Sequence, residues 1–326
     1  MPSNKRQKSV QELSKAQGKW PSILAGMCDP QLLDRKHHPC PFCEGKDRFR
    51  FIDNEGDGFW MCNQCTPNGG DGIGLVMRLN NCQFPQALKM IEPLVGGAAV
   101  THRPQRSTKE IGEDIMRVWN HSPRNDASME WYLKTRGINL SQIGKSHALR
   151  GVDKLPFYTD GKKVKEMPAM LAQVTTREGA VAAVHRTYFA NTSEGVKNNK
   201  KLTKANPTVN GCSIKLYEPK EDGVLGIAEG VETALACRQL YYDKTGKLMP
   251  VWATISAHGM ELVHIPSYVK RVVIFGDNDM SYTGQKSAYT LANRIVTRPP
   301  NLEALVHIPL RPDEDWNDVL LSNRSE

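Results

Sequence analysis

The sequence predicts a multidomain α/β protein, in which a small cysteine-bearing module precedes a core that ends in a mainly parallel sheet flanked by helices. Four cysteines fall in two C-x-x-C pairs within the first 65 residues. In the C-terminal third, short and nearly continuous apolar runs alternate with helical patterns, which is typical of parallel strands buried on both faces. The runs are 224–228, 251–256, 271–276 and 303–310, and the helical patterns lie at 231–243 and 284–296.

Composition and the distribution of turn-forming residues divide the chain into four parts. The segment 96–110, GGAAVTHRPQRSTKE, follows neither the helical nor the strand period and is rich in turn-forming residues, so a flexible linker is expected there. Residues 1–95 before it form the cysteine module. Residues 111–221 mix helical and strand patterns in a basic subdomain, and residues 222–326 form the parallel-sheet domain.

The charge balance favours a polyanionic partner and gives no support for a membrane protein. The 326 residues carry 43 Lys and Arg against 35 Asp and Glu, a net charge of +8. Positive charge is concentrated in residues 1–50, with ten basic against five acidic residues, and in 196–220, with six against one. No apolar run approaches the roughly 18 residues of a membrane span, and the basic N-terminus lacks the apolar stretch of a secretory signal. A cytoplasmic location is therefore expected.

The cysteine spacing predicts a zinc site. Cys40 and Cys43 are separated by 18 residues from Cys62 and Cys65, and each C-x-x-C turn offers two thiolates to a tetrahedral Zn²⁺. A redox role like that of thioredoxin is disfavoured, because that fold uses one such pair in a βαβ context. The site can be purely structural, since a module of about 90 residues has marginal stability without a bound metal or another cross-link.

Between the two pairs, the sequence predicts a hairpin with a basic and aromatic face. Residues 48–52 alternate between polar and apolar, the segment NEGDG favours a turn, and residues 59–61 are expected to return as the second strand. A hairpin that carries the two cysteine pairs makes the module a zinc ribbon. Lys46, Arg48 and Arg50, interleaved with aromatic rings that include Trp60, suit phosphates and stacked bases. Alternatively, Phe49 and Phe51 form the core of the ribbon.

Carboxylates follow two of the predicted parallel strands. Glu229 ends the first run, and Asp277 and Asp279 follow the third, so that all three are expected at one edge of the sheet. Residues i and i+2 of an extended chain point the same way, and hard oxygen ligands favour Mg²⁺ or Mn²⁺. A solvated Asp-Asn-Asp turn is the simpler alternative. A third acidic stretch over 313–318 makes the metal site the more specific interpretation.

These motifs resemble those of the zinc-ribbon plus Toprim primases of phages and plasmids, relatives of bacterial DnaG. The resemblance is carried by HHPCPFCEGKDRFRF, GFWMCNQC and GGDGIGLVMR in the ribbon, and by GIAEGVETALA, VIFGDND and DEDWNDVL in the later part. It extends over nearly the whole chain. No G-x-x-x-x-G-K-[ST] motif of a fused helicase occurs in the sequence.

The resemblance implies a nucleotidyltransferase that makes short RNA primers on single-stranded DNA from ribonucleoside triphosphates, in a bacterial or phage-infected cell. Zn²⁺ would be held by the four cysteines in a ribbon that selects the initiation site. Glu229, Asp277 and Asp279 would be the catalytic and Mg²⁺ or Mn²⁺ carboxylates, supported by Asp315 and Asp318. Arg186, Lys200 and Lys201 fall where the family binds nucleotide or template. A separate replicative helicase is the expected partner.

The sequence departs from the family pattern at two places. Thr233 stands where cellular primases often carry a further Asp, and the segment MSYTGQKSA after Asp279 is longer than the usual turn.

Two other functions stay open. A recombination mediator would bind DNA without synthesis, and a Toprim nuclease would use the same metal site for cleavage. A topoisomerase is disfavoured because the chain is too short for a strand-passage gate.

Overall fold

The computed structural model describes residues 13–97, 107–121, 123–159, 162–219, 223–298 and 302–324. The chain divides into two compact units, Met1–Arg106 and Ser107–Glu326. Among the described residues, no helix is both long and apolar enough to cross a membrane.

The first unit contains the predicted hairpin. Strands β1 (Phe49–Phe51) and β2 (Trp60–Cys62) pair antiparallel, and β3 (Gly69–Gly70) extends the sheet beside β2. Residues 13–16 are helical, and the helices whose bounds lie within the described residues of this unit are α1 (Trp20–Leu24), α2 (Gly72–Leu79) and α3 (Phe84–Val95). A short 3₁₀ turn spans Pro30–Leu33. The last part of the module thus forms two helices, which pack on the ribbon through buried side chains such as Ile73 and Ile91.

The second unit begins with helices. They are α4 (Thr108–Trp119), α5 (Asp126–Thr135) and the single turn α6 (Leu140–Ile143). Residues 98–106 of the expected linker lie outside the described residues, and its last residues, 108–110, are already helical. Ser107 caps α4, because its hydroxyl accepts a hydrogen bond from the Glu110 N–H at 3.2 Å.

A four-stranded antiparallel sheet follows, with its strands in sequence order. Its strands are β4 (Leu149–Thr159), β5 (Lys162–Thr175), β6 (Val181–Thr192) and β7 (Gly195–Leu202). The lysine-rich segment at the start of the basic stretch 196–220 forms strand β7, in which Val196 and Leu202 pack against the core. Val196 and Leu202 are an even number of residues apart and so point to the same face of the strand.

The last part forms the predicted parallel sheet, in the order β11, β10, β8, β9. Its strands are β8 (Val224–Ala228), β9 (Val251–Ala253), β10 (Arg271–Phe275) and β11 (Glu303–His307). Its helices are α7 (Val231–Thr245), α8 (Ala257–Leu262), α9 (Thr283–Thr297) and α10 (Trp316–Ser322). The α/β fold class predicted from the apolar runs is confirmed.

Side chains from both sheets share one core. Tyr132 of α5, Phe189 of β6 and Ala234 of α7 belong to the same buried cluster. A second cluster lies on the other face of the parallel sheet with α9, and a third joins α4 to the antiparallel sheet. The shared core brings strand β7 next to the start of α7, where the carboxylates lie.

Candidate functional site

The four predicted zinc ligands come together in the first unit. Their sulfur atoms all lie within 4.8 Å of one another, with Cys40 Sγ 3.6 Å from Cys65 Sγ and Cys43 Sγ 3.7 Å from Cys62 Sγ. Tetrahedral zinc with Zn–S distances of about 2.3 Å places its sulfurs about 3.8 Å apart. The cysteine cluster therefore has the dimensions of a Cys₄ zinc site, and no other side chain is needed to complete it.

The ribbon supports this site with aromatic packing. The rings of Phe49 and Trp60 stack with their centroids 5.8 Å apart, and the Arg78 guanidinium lies 4.4 Å from the centre of the Phe42 ring. Arg78 also donates a hydrogen bond to the Pro67 carbonyl at 2.8 Å, close to the second cysteine pair. Helix α2 is thereby tied to the loop that carries Cys65.

The basic residues of the predicted nucleic-acid face are exposed, but its predicted aromatic member is not. Lys46, Arg48 and Arg50 all face solvent. The Trp60 side chain is 1% exposed and lies in the core with Phe49 and Phe51, so its ring cannot stack on a base. The alternation of the hairpin places the aromatic residues inward and the arginines outward. Phe59 is an exposed ring of the hairpin, at 40%, and was not among the predicted site residues.

In the second unit, Glu229 and Asp277 follow the adjacent parallel strands β8 and β10. The two strands are in register, with Ala228 beside Phe275, so the residues that follow them share one edge of the sheet. Both side chains are partly buried. Asp279 is placed two residues further on and accepts a hydrogen bond from the Gly284 N–H at 2.7 Å, which fixes it at the first turn of α9.

Asp315 and Asp318 have a different local role. Asp315 is the N-cap of α10, where its Oδ1 accepts hydrogen bonds from the Asn317 and Asp318 N–H groups at 2.7 and 2.9 Å. The Asp318 carboxylate in turn accepts a hydrogen bond from the Asp315 N–H at 3.1 Å. This capping box holds the predicted supporting motif, and one oxygen of each carboxylate is used for it.

Asn278 joins the acidic stretch to the end of β10. Its side-chain amide donates to the carbonyls of Pro309 and Arg311 at 2.9 and 3.0 Å, and its backbone N–H donates to Glu314. The third acidic segment is thus drawn to the same edge of the sheet as Asp277.

The carboxylates perturb one another. Burial, together with the negative charges of Glu229 and Asp315, raises the pKa of Asp277 to about 7. Burial and the neighbouring Asp279 raise the pKa of Glu229, and burial raises that of Asp315. Asp277 Oδ1 is buried and has no hydrogen-bond partner among the described residues. A buried carboxylate oxygen of this kind is stabilised by a cation.

The donor set fits Mg²⁺ or Mn²⁺ with an open coordination sphere. In the part of the chain that the structure describes, the four cysteines are the one group of three or more His, Cys, Asp or Glu residues whose ligand atoms all lie within 4.8 Å of one another. The carboxylates are therefore more widely spaced than a closed cage. Mg²⁺ in nucleotide enzymes is bound by one or two carboxylates, waters and substrate phosphates, which this spacing allows.

Two predicted basic residues, Lys200 and Lys201, lie on opposite faces of strand β7. Lys200 lies opposite Thr187 of β6 in the sheet, and its Nζ lies 3.0 Å from Glu232 Oε2, beside the carboxylate edge. Lys201 pairs with Arg186 on the other face, where its Nζ contacts the Tyr158 carbonyl and lies over the Phe157 ring. Of the three predicted basic residues, the structure brings only Lys200 to the carboxylates.

Glu232 was missed at this site. It is 3% exposed in the first turn of α7, three residues after Glu229. The signal was a second glutamate three residues after Glu229 in GIAEGVETALA, at a point where the chain has only just left the end of β8. Thr233, where a further Asp was considered, is buried.

Three segments of the chain match known protein families. Residues 35–73 match the zinc-binding domain of primase-helicase, residues 224–326 match the Toprim domain, and residues 109–216 match a domain of unknown function, DUF7146. The chain therefore carries a primase-type zinc ribbon and a Toprim domain, and the resemblance drawn from the motifs is confirmed.

Solved structures with similarity to this chain include three primases. The primase fragment of the bacteriophage T7 primase-helicase protein is 15% identical, with a TM-score of 0.40, over 89% of this chain and 96% of that one. The DnaG catalytic core is 13% identical, with a TM-score of 0.40, over 66% and 74%. A DNA primase domain from Pseudomonas aeruginosa is 14% identical, with a TM-score of 0.39, over 66% and 73%.

Proposed function

We propose that the protein is a DNA primase that synthesises short RNA primers on single-stranded DNA. One observation carries the proposal. A zinc-binding domain of primase type occurs in one chain with a Toprim domain whose strand ends bear Glu229 and Asp277 beside Lys200. The zinc ribbon alone is compatible with many DNA-binding proteins, and the Toprim carboxylates alone are compatible with a nuclease.

In the proposed reaction, a 3′-hydroxyl attacks the α-phosphorus of a ribonucleoside triphosphate and pyrophosphate leaves. A divalent cation at this site would lower the pKa of the hydroxyl and neutralise charge on the phosphates. Asp277 and Asp279 would hold it. Glu229, whose pKa is raised by burial, would complete the ligand set or move the proton of the hydroxyl. The half-exposed Lys200 ammonium would bind a phosphate oxygen of the nucleotide.

The ribbon would recognise the template. Lys46, Arg48 and Arg50 are exposed cations suited to the DNA backbone, and the exposed Phe59 ring offers a surface for a base. Trp60 is excluded from this role by its burial. Arg186 and Lys201 lie on the face of the antiparallel sheet away from Lys200, so any contact they make with template would be separate from the nucleotide.

The test is a priming assay with single-stranded oligonucleotides of varied sequence, labelled ribonucleoside triphosphates, and Mg²⁺ or Mn²⁺. We expect short oligoribonucleotides whose formation depends on the template and on the cation. Failure to form any across varied templates would refute the proposal. Cleaved template would identify a nuclease instead, and metal-independent DNA binding without synthesis would identify a recombination mediator.

A separate replicative helicase remains part of this proposal, as does action in the cytoplasm of a bacterial or infected cell. Stimulation of priming by the replicative helicase of the host would support the partnership. Repeated failure of stimulation and of co-purification would count against it.

A further inference from the structure

Glu232 is a buried carboxylate that no part of the proposed reaction uses. It lies in the first turn of α7 and is 3% exposed. A buried carboxylate is costly unless it is paired and hydrogen-bonded. Its partners therefore indicate what it does.

Both oxygens of Glu232 are engaged from neighbouring elements. Oε1 accepts a hydrogen bond from the Tyr132 hydroxyl at 2.9 Å, and Oε2 lies 3.0 Å from Lys200 Nζ. The Tyr132 oxygen in turn accepts a hydrogen bond from Asn198 Nδ2 at 2.9 Å. Glu232 Oε2 makes no hydrogen bond among the described residues, so its contact with Lys200 is an ion pair. Glu232 is therefore tied to α5 by a hydrogen bond and to β7 by an ion pair.

The partners of Glu232 are themselves rigidly placed. Asn198 and Lys200 are two residues apart on β7 and so point to the same face of the sheet. The Tyr132 ring stacks on Phe189 with a centroid distance of 4.6 Å and an interplanar angle of 5°. Strand β7 and helix α5 thus deliver a lysine and a tyrosine to one carboxylate.

Lys200 is close to two sets of negative charge. Its Nζ lies 3.0 Å from Glu232 Oε2, and its charge also acts on Glu229 and Asp277, where it opposes the burial and carboxylate repulsion that raise the pKa of both. A Cβ added at Gly230 would lie 3.9 Å from Lys200 Nζ, so the ammonium is also next to the turn that follows β8. Its side chain is 46% exposed and is open to a ligand.

We propose that Glu232 is a positioning residue, which holds the Lys200 ammonium away from Glu229 and Asp277 so that it faces the nucleotide phosphate instead of neutralising the metal carboxylates. The inference rests on the proposed function for the phosphate, but the competition between lysine and cation is a property of the chain itself. Without the charge of Glu232, the charge of Lys200 still acts on Glu229 and Asp277, the carboxylates that would hold the cation.

The test compares Glu232→Gln, Lys200→Gln and the double variant in the zinc-loaded full chain. Glutamine keeps an oxygen that accepts from Tyr132 and removes only the charge. The first readout is direct binding of Mn²⁺, followed by electron paramagnetic resonance. Released towards the carboxylates, one ammonium is expected to weaken Mn²⁺ binding by about five- to tenfold at the effective dielectric constant of a protein surface.

The double variant identifies the route of the effect. If Glu232 acts through Lys200, Glu232→Gln changes Mn²⁺ binding by less than about twofold when Lys200 is already glutamine, because coupled residues are not additive. A loss that persists in the Lys200→Gln background would overturn the proposal. Tyr132→Phe is the matched control, since it removes a hydrogen bond from Glu232 without changing charge, and it is expected to lower stability while leaving Mn²⁺ affinity within twofold.

Priming kinetics supply the second readout and separate this inference from the proposed function. Glu232→Gln is expected to raise the KM for the nucleotide and the Mg²⁺ requirement. If the wild type primes and Glu232→Gln matches it in Mn²⁺ affinity and in nucleotide KM, the positioning role is wrong and the primase proposal stands. If the wild type never primes but Mn²⁺ binding by the single and double variants changes as expected, the positioning role stands and the primase proposal fails.

Discussion

Gly284 is where the structure predicts that a single methyl group disturbs the carboxylate site. It lies in the first turn of α9, and its N–H donates to Asp279 Oδ2 at 2.7 Å. A Cβ added there would lie 2.6 Å from the Asp277 carbonyl oxygen and 3.0 Å from Asp279 Oδ2. Close carbon–oxygen contacts in proteins are about 3.3 Å, so Gly284→Ala must move α9 and the Asp277 loop apart by about 0.7 Å.

The Asp277 carbonyl belongs to the backbone, and the Asp279 side chain is held by its hydrogen bond to Gly284, so neither can easily move aside. Overpacking of this kind costs about 1–3 kcal/mol, and the helix propensity of alanine offsets about 1 kcal/mol of it. We therefore expect the free energy of unfolding to fall by up to about 2 kcal/mol, which lowers the Tm by up to about 8 °C in a unit of this size. The displaced Asp279 should also raise the Mg²⁺ concentration needed for priming.

Gly112→Ala is the matched control. Gly112 is also a helical glycine of the second unit, but its added Cβ would meet only Asn206 Nδ2, at 3.4 Å. There the gain in helix propensity should leave the Tm unchanged or raise it. The assay is thermal unfolding of the full chain with both variants side by side. A Gly284→Ala protein as stable as Gly112→Ala, with the wild-type Mg²⁺ requirement, would refute the reasoning.

Three further predictions concern the ribbon and the core. Cys62→Ser should release zinc and remove the near-ultraviolet circular dichroism of the ribbon aromatics, whereas Cys82→Ser, outside the cluster, should retain one zinc per chain by metal analysis. Deletion of residues 1–95 should abolish sequence-selective initiation and spare extension of a supplied primer; equal loss of both would contradict a separate role for the ribbon. Burial lowers the pKa of His185 from 6.5 to about 4. As pH falls from about 6.5 to 4, the unfolded chain binds a proton that the folded one does not, so stability should fall by up to about 3 kcal/mol. Acid titrations of stability should flatten in His185→Gln and not in the exposed His147→Gln; the same acid slope in both variants would exclude His185 as the cause.

Elements with a clear period could be predicted from the sequence. The parallel strands carry continuous apolar runs, and the zinc site is defined by cysteine spacing alone, so each needs only local information. The placement of Glu229 and Asp277 at one edge could be predicted for the same reason, since the ends of parallel strands share an edge.

The orientation of polar side chains depends on pairing that local sequence does not contain. The run of lysines over 197–204 has a high density of charge, and its strand period is visible only through Val196 and Leu202. The pairing of β7 with β6 decides that Lys200 faces Glu232 and that Lys201 faces away. In the ribbon, the register of β1 with β2 decides that Trp60 is in the core. Glu232 gained its partners from α5 and β7, about 100 and 30 residues away along the chain.

The most direct test of the central claim is primer synthesis by a matched pair of variants, Asp277→Asn and Asp313→Asn. Asp277 has a buried carboxylate oxygen that finds no hydrogen-bond partner in the part of the chain that the structure describes, and Asp313 is an exposed carboxylate in the acidic stretch. We expect Asp277→Asn to lose at least about a hundredfold of the template-dependent synthesis, a loss typical of a group that stabilises the transition state. Asp313→Asn should stay within a few-fold of the wild type. Equal primer yields from wild type and Asp277→Asn would contradict the assignment of this edge as the catalytic site.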